Sequence, residues 1–377
     1  MIVVSRFARF VFLQFSALDT MNSLLTSDTP CLQATPPRVP VLASDVFDHP
    51  LVTVIIPCYN GETYLQEAIE SALAQTHPEV EIIVVDDGST DGSSRIAQMF
   101  PVRYLRQENR GLTKSRNLGI SASLGEYIVF LDADDRLMPD AIETGLRVMS
   151  EHPECAMTVG DHLFVSTDGS YLSNSSKACV QSSHYEELLK SNFIEMISSV
   201  LFRRSVLVEI GGFDTNLRVA EDYELYLRIA RVHPICCHPT LMAEYRLHQS
   251  NTSHNSELML RVTLEVLRTQ AQYVRTDGRR LFAFLAGLRN WRTRYGRQLA
   301  LELARSSRAL NGDHLRRKLL LLVAHYPQGL FAFALLRLAP RLHKKVRIAR
   351  AAQGKPPSLG LLAWLHDAKT EFSTQFG

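Results

Sequence analysis

Three apolar runs constrain this chain more than any other feature, because each stops at a polar cluster and each is followed by a helical repeat. The run 52–56 is β-branched and ends in Pro57-Cys58-Tyr59-Asn60-Gly61, a turn. Leu65, Ala68, Ile69, Ala72 and Leu73 then recur at helical spacing. The run 82–85 ends in Asp86-Asp87-Gly88-Ser89-Thr90-Asp91-Gly92, and a short helix around 95–99 and a strand near 102–105 come next. A helix over 112–122 precedes the strand 127–131, which stops at Asp132-Ala133-Asp134-Asp135, and Pro139 is predicted to open a further helix as a first-turn proline. Strands alternating with helices predict right-handed βαβ units and a parallel sheet. Ligands of such sheets bind beyond the carboxyl ends of the strands. All three polar clusters fall there.

Size and charge narrow the class. At 377 residues, 46% hydrophobic and 21% charged, the chain can build one large domain with an appendage, or two modest domains. A net charge of +2 excludes a general nucleic-acid binder. The six cysteines, Cys31, Cys58, Cys155, Cys179, Cys236 and Cys237, form no C-x-x-C pair. That spacing predicts a reducing compartment, with no disulfide framework and no zinc site. Cys236 and Cys237 are expected to be buried strand cysteines.

The ends read differently from the middle. Residues 1–15 are apolar but broken by Arg6 and Arg9, so neither a cleaved signal nor a membrane span is expected. An amphipathic leader, or a true start at Met21, fits better, and Pro30, Pro36, Pro37 and Pro40 mark a loose linker. From Glu257 onward the pattern is helical and basic. The apolar runs 319–323 and 330–338 lie between Arg316-Arg317-Lys318 and Arg341, His343, Lys344 and Lys345. Two readings stay open: a helix pair resting on anionic lipid, or a helical subdomain packed on the core. The expected divisions are 1–50, a leader and linker; 51–255, the α/β domain; and 256–377, a helical extension.

The acidic clusters carry the chemistry. Carboxylates crowded at a strand end repel one another, and a divalent cation removes that cost; Mg²⁺ or Mn²⁺ prefers such oxygen ligands. In an extended segment Asp132 and Asp134 would face one ligand, with Ala133 between them; the plain alternative is a solvated turn capping the next helix. Asp87 can accept from a nucleobase or a ribose hydroxyl where Gly88 lets the backbone approach closely, and Ser89, Thr90 and Asp91 read as an Asx turn and cap. Tyr59 can stack on a base, though a lone aromatic is more often core. Glu221-Asp222 opens a helical pattern, where acids suit the helix dipole; functionally, Asp222 would be a general base. His248 can complete a metal site or touch a diphosphate.

In order and spacing these motifs resemble family 2 glycosyltransferases of the GT-A fold, over about Val52 to His248. The likeness rests on Val54-Ile55-Ile56-Pro57-Cys58-Tyr59-Asn60, Val85-Asp86-Asp87-Gly88-Ser89-Thr90-Asp91, Asn109-Arg110-Gly111, Arg116-Asn117-Leu118-Gly119, Gly125-Glu126-Tyr127-Ile128, Phe130-Leu131-Asp132-Ala133-Asp134-Asp135, Gly212-Phe213-Asp214 and Glu221-Asp222. It implies an α/β, Rossmann-like, mostly parallel sheet flanked by helices, with a C-terminal helical extension. It also implies an inverting transfer from a nucleotide sugar, probed first as a UDP-sugar, to a glycan or lipid-linked acceptor, with Mn²⁺ or Mg²⁺ as cofactor. Pro57, Tyr59, Asp87, Arg116 and Asp132 would bind the nucleotide sugar. Asp134, Asp135 and His248 would hold the metal. Asp222 would be the base, with Glu221 supporting it, and Gly211, Gly212 and Phe213 would shape the acceptor side. Bacterial surface polysaccharide assembly and a cytoplasmic location, with peripheral membrane contact through the basic C-terminal helices, complete the expectation. The rivals are a sugar nucleotidyltransferase, which would show a Gly-rich phosphate loop after the first strand; a non-catalytic glycan-binding scaffold; and a glycoside hydrolase with paired carboxylates.

Overall fold

The first apolar run forms β1 (Val52–Cys58), and all seven of its residues are buried, as a strand covered by helices on both faces requires. The structure, a computed structural model, describes residues 49–175, 180–248, 255–306 and 312–330. After β1 come α1 (Leu65–Leu73), β2 (Val80–Asp86), α2 (Ser93–Ala97), β3 (Arg103–Arg106), α3 (Leu112–Ala122) and β4 (Tyr127–Phe130). β2 and β4 flank β1 in parallel, and β3 extends the sheet beyond β2, also in parallel. On α1 the buried residues are Leu65, Ala68, Ile69 and Ala72, the stripe its spacing predicts. Leu73 instead turns outward and is exposed.

The second half changes direction. It contains β5 (Arg136–Leu137), α4 (Ala141–Glu151), β6 (Met157–Val165), β7 (Tyr171–Asn174), α5 (His184–Lys190), β8 (Val200–Arg203), α6 (Arg204–Glu209), α7 (Glu221–Val232) and β9 (Ile235–Arg246). Among the described residues nine strands lie in the order β3-β2-β1-β4-β8-β6-β9-β5, with β7 against β6. β8 is antiparallel to β4 and β6, while β9 runs parallel to β6 and antiparallel to β5. The sheet is thus parallel across its first four strands and mixed beyond them. Through its pairing with β5, long β9 delivers its last residues beside the turn that follows β4.

Two helix starts differ from the sequence reading. α2 begins at Ser93 rather than near Arg95, because Asp91 Oδ1 accepts from the Ser93 amide at 3.0 Å. Pro139 precedes α4 by two residues and does not open it. Its carbonyl accepts from the Thr76 amide at 2.9 Å and the Met138 amide donates to Met242 O at 2.9 Å, so this stretch is still tied to its neighbours.

The last described helices are α8 (Ser256–Thr269), α9 (Ala271–Val274), α10 (Gly278–Ser306) and α11 (Gly312–His325). Leu260, Leu264, Trp291 and Tyr295 share one apolar cluster with Ile55, Phe130 and Tyr226. On α11, Leu322 packs with Leu299 and Leu303, Arg317 pairs with Glu257 at 2.6 Å and Lys318 with Glu302 at 3.0 Å. The run 319–323 therefore packs on the protein at Leu322, while Leu320 and Val323 stay exposed. Residues 331–338, the basic positions 341–345 and the leader 1–48 lie outside the described residues. Among the described residues no helix is long and apolar enough to cross a membrane.

The cysteine expectation is overturned. Cys155 and Cys236 form a disulfide. The pairing was hidden because the two lie 81 residues apart in the chain and meet only when β9 pairs with β6, with Thr158 opposite Cys236. The inference of a reducing compartment loses its footing with it.

Candidate active site

The first two strand ends are laced together by short polar side chains. Asn60, at φ 51°, donates its amide to Ser89 Oγ at 2.9 Å, and its Oδ1 accepts from the Thr90 amide at 2.8 Å. The Gly61 and Glu62 amides donate to Ser93 Oγ and Asp91 Oδ2 at 2.9 and 3.0 Å. Asp86 is buried, and burial works to raise its carboxyl. Hydrogen bonds from Ser89 and Tyr104, with Arg106 nearby, outweigh that and hold it below the usual range. Asp87 points the other way. It accepts from Gln107 Nε2 at 2.6 Å and from the Arg110 and Gly111 amides at 2.8 and 2.7 Å, fixing the loop ahead of α3. Gly88 sits at φ 81°, where a Cβ would lie 2.9 Å from the Asn109 nitrogen, so glycine is needed for the strand end and this loop to meet. Pro57 is buried inside β1 opposite Val85, whereas Tyr59 is 54% exposed at the mouth of the strand ends. The lone tyrosine is not core.

After β4 the chain turns instead of staying extended: the Asp135 amide donates to Asp132 O at 3.0 Å. The segment is therefore a turn and not the extended continuation that strand alternation assumed. Asp132 Oδ1 accepts from Arg116 Nη2 at 2.7 Å, while Asp134 Oδ2 shares a hydrogen bond with His248 Nε2 at 2.7 Å. Asp135 is buried, with Oδ1 accepting from the Arg246 amide at 3.0 Å and Oδ2 without a hydrogen-bond partner among the described residues. Burial raises the Asp134 carboxyl, Asp132 adds to the rise, and His248 opposes it. Burial also drives Asp135 well above the usual range, helped by Asp134 and Asp132.

Arg116 is the hub. Only 2% exposed, it bridges Asp132 on one side and Glu221 Oε1, at 2.8 Å, on the other, and lies 5.3 Å from the centre of the Phe213 ring. Asp222 is half-buried at the start of α7, with Oδ1 accepting from the Tyr223 amide at 2.7 Å. Burial, then Glu221 and Asp132, push its carboxyl up to about 7, against the pull of Arg116 and the Tyr223 amide. Among Gly211, Gly212 and Phe213, only Gly211 is exposed. Gly212, at φ 67°, and buried Phe213 are clamped by Asn117, which accepts from the Phe213 amide at 2.8 Å and donates to its carbonyl at 2.9 Å. Asn117 thereby ties this loop to α3.

The donor chemistry fits a divalent cation. Asp132, Asp134, Asp135, Glu221 and Asp222 crowd two guanidinium groups, Arg116 and Arg246, and three of those carboxyls are pushed upward. Among the described residues no three His, Cys, Asp or Glu side chains form a metal cluster on their own. Asp134 and His248 can supply one oxygen and one nitrogen, and Mg²⁺ normally completes such a set with substrate phosphates and water.

Sequence reasoning missed Arg246. Buried to 1% exposure, it donates through Nε to Asp134 O at 3.0 Å and through Nη2 to Glu67 at 2.7 Å, and lies 4.5 Å from the centre of the Tyr64 ring, which itself stacks on His248. It ties the end of β9, two residues before His248, to the turn that carries Asp134. Its only signal was its place two residues before that histidine. Ser198, whose Oγ accepts from the Asp132 amide at 3.3 Å, had none.

A parallel half-sheet with acidic strand ends, closed by an acidic helix start, is the GT-A arrangement, and the class is glycosyltransferase. The crystal structure of S. aureus TarS shares the fold, with a TM-score of 0.51 and 19% identity over 77% of this chain and 55% of that one. The profile of glycosyl transferase family 2 matches residues 53–211. The putative teichuronic acid biosynthesis glycosyltransferase TuaG of Bacillus subtilis is 32% identical over 215 residues, 55% of this chain and 82% of that one. An uncharacterized glycosyltransferase of Rickettsia typhi is 33% identical over 222 residues, 55% of this chain and 67% of its own. Chondroitin synthase of Escherichia coli is 32% identical over 209 residues, 30% of its length. The chain belongs to glycosyltransferase family 2.

Proposed function

We propose that this chain is an inverting glycosyltransferase that moves a sugar from a nucleotide-diphosphate sugar, UDP being the first choice, to a hydroxyl of a glycan or lipid-linked acceptor. The observation that carries the reading is the Asp222 carboxyl, poised at about 7 beside the Arg116 hub. A general base works best with a pKa near the operating pH. Asp222 takes the acceptor hydroxyl proton as that oxygen attacks the anomeric carbon opposite the diphosphate, and the single displacement inverts its configuration. Arg116 bridges Glu221 and Asp132 and offsets the repulsion between them. Tyr59 and Asp87 line the nucleotide side, with Asp87 retaining the loop 107–111. Asp134 and His248 would hold Mn²⁺ or Mg²⁺, with Asp135 behind them; when bound there the ion supplies Lewis-acid stabilisation of the departing diphosphate.

Bacterial surface polysaccharide synthesis is supported as a setting by TuaG, named for teichuronic acid biosynthesis, and by chondroitin synthase, both glycan polymers. A cytoplasmic location now rests on the nucleotide donor alone, and peripheral contact with anionic lipid through the basic C-terminal helices belongs to the same proposal. The test is a panel of UDP-, GDP- and dTDP-sugars with simple glycoside acceptors, read by proton NMR of the anomeric centre. Inversion that is lost in Asp222→Asn supports the reading, and retention of configuration contradicts it.

A further inference from the structure

One short segment, residues 210–213, is gripped from both helices that carry the charged hub. Arg228 lies on α7, further along than Asp222, and Asn117 lies on α3, next to Arg116. Arg228 Nη1 donates to Ile210 O at 2.7 Å and Nη2 to Gly212 O at 2.6 Å. Glu224, one turn earlier on α7, aims the guanidinium: its two oxygens accept from Nε and Nη2, each at 2.7 Å. Such a planar fork fixes direction as well as distance, which a lysine ammonium cannot do. Asn117 holds the next residue, Phe213, at both backbone groups. The segment is therefore a strap between α7 and α3, and the Phe213 ring lies 5.3 Å from the Arg116 guanidinium.

Charge alone holds these helices together poorly, because Asp132, Glu221 and Asp222 repel one another as carboxylates. Among the described residues, Arg116 to Glu221 at 2.8 Å is the one ion pair that joins α3 to α7. Arg228 and Asn117 add ties to backbone amides and carbonyls, which do not change with protonation or with a ligand's charge. We propose that Arg228 is a positioning residue: through the strap it holds the acidic first turn of α7 in place against Arg116, so that Asp222 meets the acceptor hydroxyl. The role rests on reading Asp222 as the base, and Arg228 acts through Gly212 and Phe213, not on substrate. A cleft of about 450 Å³ opens on this side of α7, with Glu224, Arg228, Arg231, Val262 and Tyr273 in its walls. Solvent therefore reaches the Arg228 position, where the side chain is 20% exposed.

The experiment compares the full chain with Arg228→Ala, Arg228→Lys and Asn117→Ala. Rates are expressed per nucleotide-binding site, counted by calorimetry, so that unfolded protein does not enter. Arg228→Ala lowers kcat by about 10²-fold, the cost of a misplaced catalytic group, while donor KM stays within about twofold. Arg228→Lys keeps the charge without the fork and loses nearly as much. The Arg228→Ala/Asn117→Ala double variant stays within about twofold of the slower single variant, because both release the same strap. Methylguanidinium enters by the cleft, pairs with Glu224 and raises the Arg228→Ala rate about tenfold, with no gain in the parent. Hydrogen exchange in the first turn of α7, where the Glu224 amide donates to Ala220 O at 3.1 Å, needs no substrate. It rises in Arg228→Ala and Asn117→Ala, and methylguanidinium reverses the rise in Arg228→Ala. Should Arg228→Ala not fold, Glu224→Gln loosens the fork with its bulk in place and gives the same losses at smaller amplitude. Parent-like rate and exchange in these variants, or losses that multiply in the double variant and resist methylguanidinium, overturn the proposal. If exchange responds and is reversed while Asp222→Asn still transfers sugar, or the parent transfers none, the strap stands and the base reading falls.

Discussion

Asp222 keeps its proton to near neutrality because burial and Glu221 outweigh Arg116, and catalysis and stability follow from that one balance in opposite senses. For catalysis, the acid limb of kcat/KM should bend at an apparent pKa of about 7, with activity falling as pH drops and the base protonates. Asp222→Asn should lose about 10²–10⁴ in rate, measured as initial velocities at saturating donor. For stability, the folded value of about 7 exceeds the ordinary 3.8, so between those values the folded chain holds a proton that the unfolded chain has released. Stability from this group is therefore lost as pH rises through that window. Calorimetric melting should show Asp222→Asn matching the parent near pH 4 and gaining on it steadily up to pH 8. A constant difference would mean that Asp222 titrates normally.

Among the elements, the turn after β4 and the loop before α7 decide where the carboxylates point. The sequence placed the acidic cluster at the strand end, because an apolar run followed by polar residues is legible from period alone. It did not show the turn that carries Asp132 and Asp134, where the Asp135 amide donates to Asp132 O, because a turn after an apolar strand leaves no period. In the loop before α7, Gly212 is needed for its φ of 67° and because a Cβ would meet Asn117 Oδ1 at 2.5 Å. Gly212→Ala should cost about 2 kcal/mol from left-handed strain and weakened Asn117 bonds, read as a lower urea midpoint. Since Phe213 lies under Arg116, activity should fall with it. A variant as stable as the parent would mean the loop relaxes without using that clamp.

For the whole molecule, the long strand β9 explains what the sequence concealed. It brings Arg246 to Asp135 across 111 residues and Cys236 to Cys155 across 81, and neither contact leaves a local pattern. The parallel half-sheet was legible because each βαβ unit is local; the mixed half was not, because its pairings are remote. Peptide mapping without reductant should recover Cys155 linked to Cys236, and reduction should lower stability by about 2–4 kcal/mol. Recovery of both cysteines as free thiols would exclude the bond. Vesicles of anionic lipid should retain the intact chain better than one ending before Arg316, and equal sedimentation would rule out anchoring by the C-terminal helices.

The most direct test of glycosyl transfer at this site is calorimetric titration with UDP, GDP and dTDP, with Mn²⁺ and after chelation, beside Asp134→Ala. Selective, metal-dependent binding of one nucleotide that Asp134→Ala abolishes is the result this site predicts. Absence of nucleotide binding under every condition would contradict it and leave a non-catalytic glycan-binding role in its place.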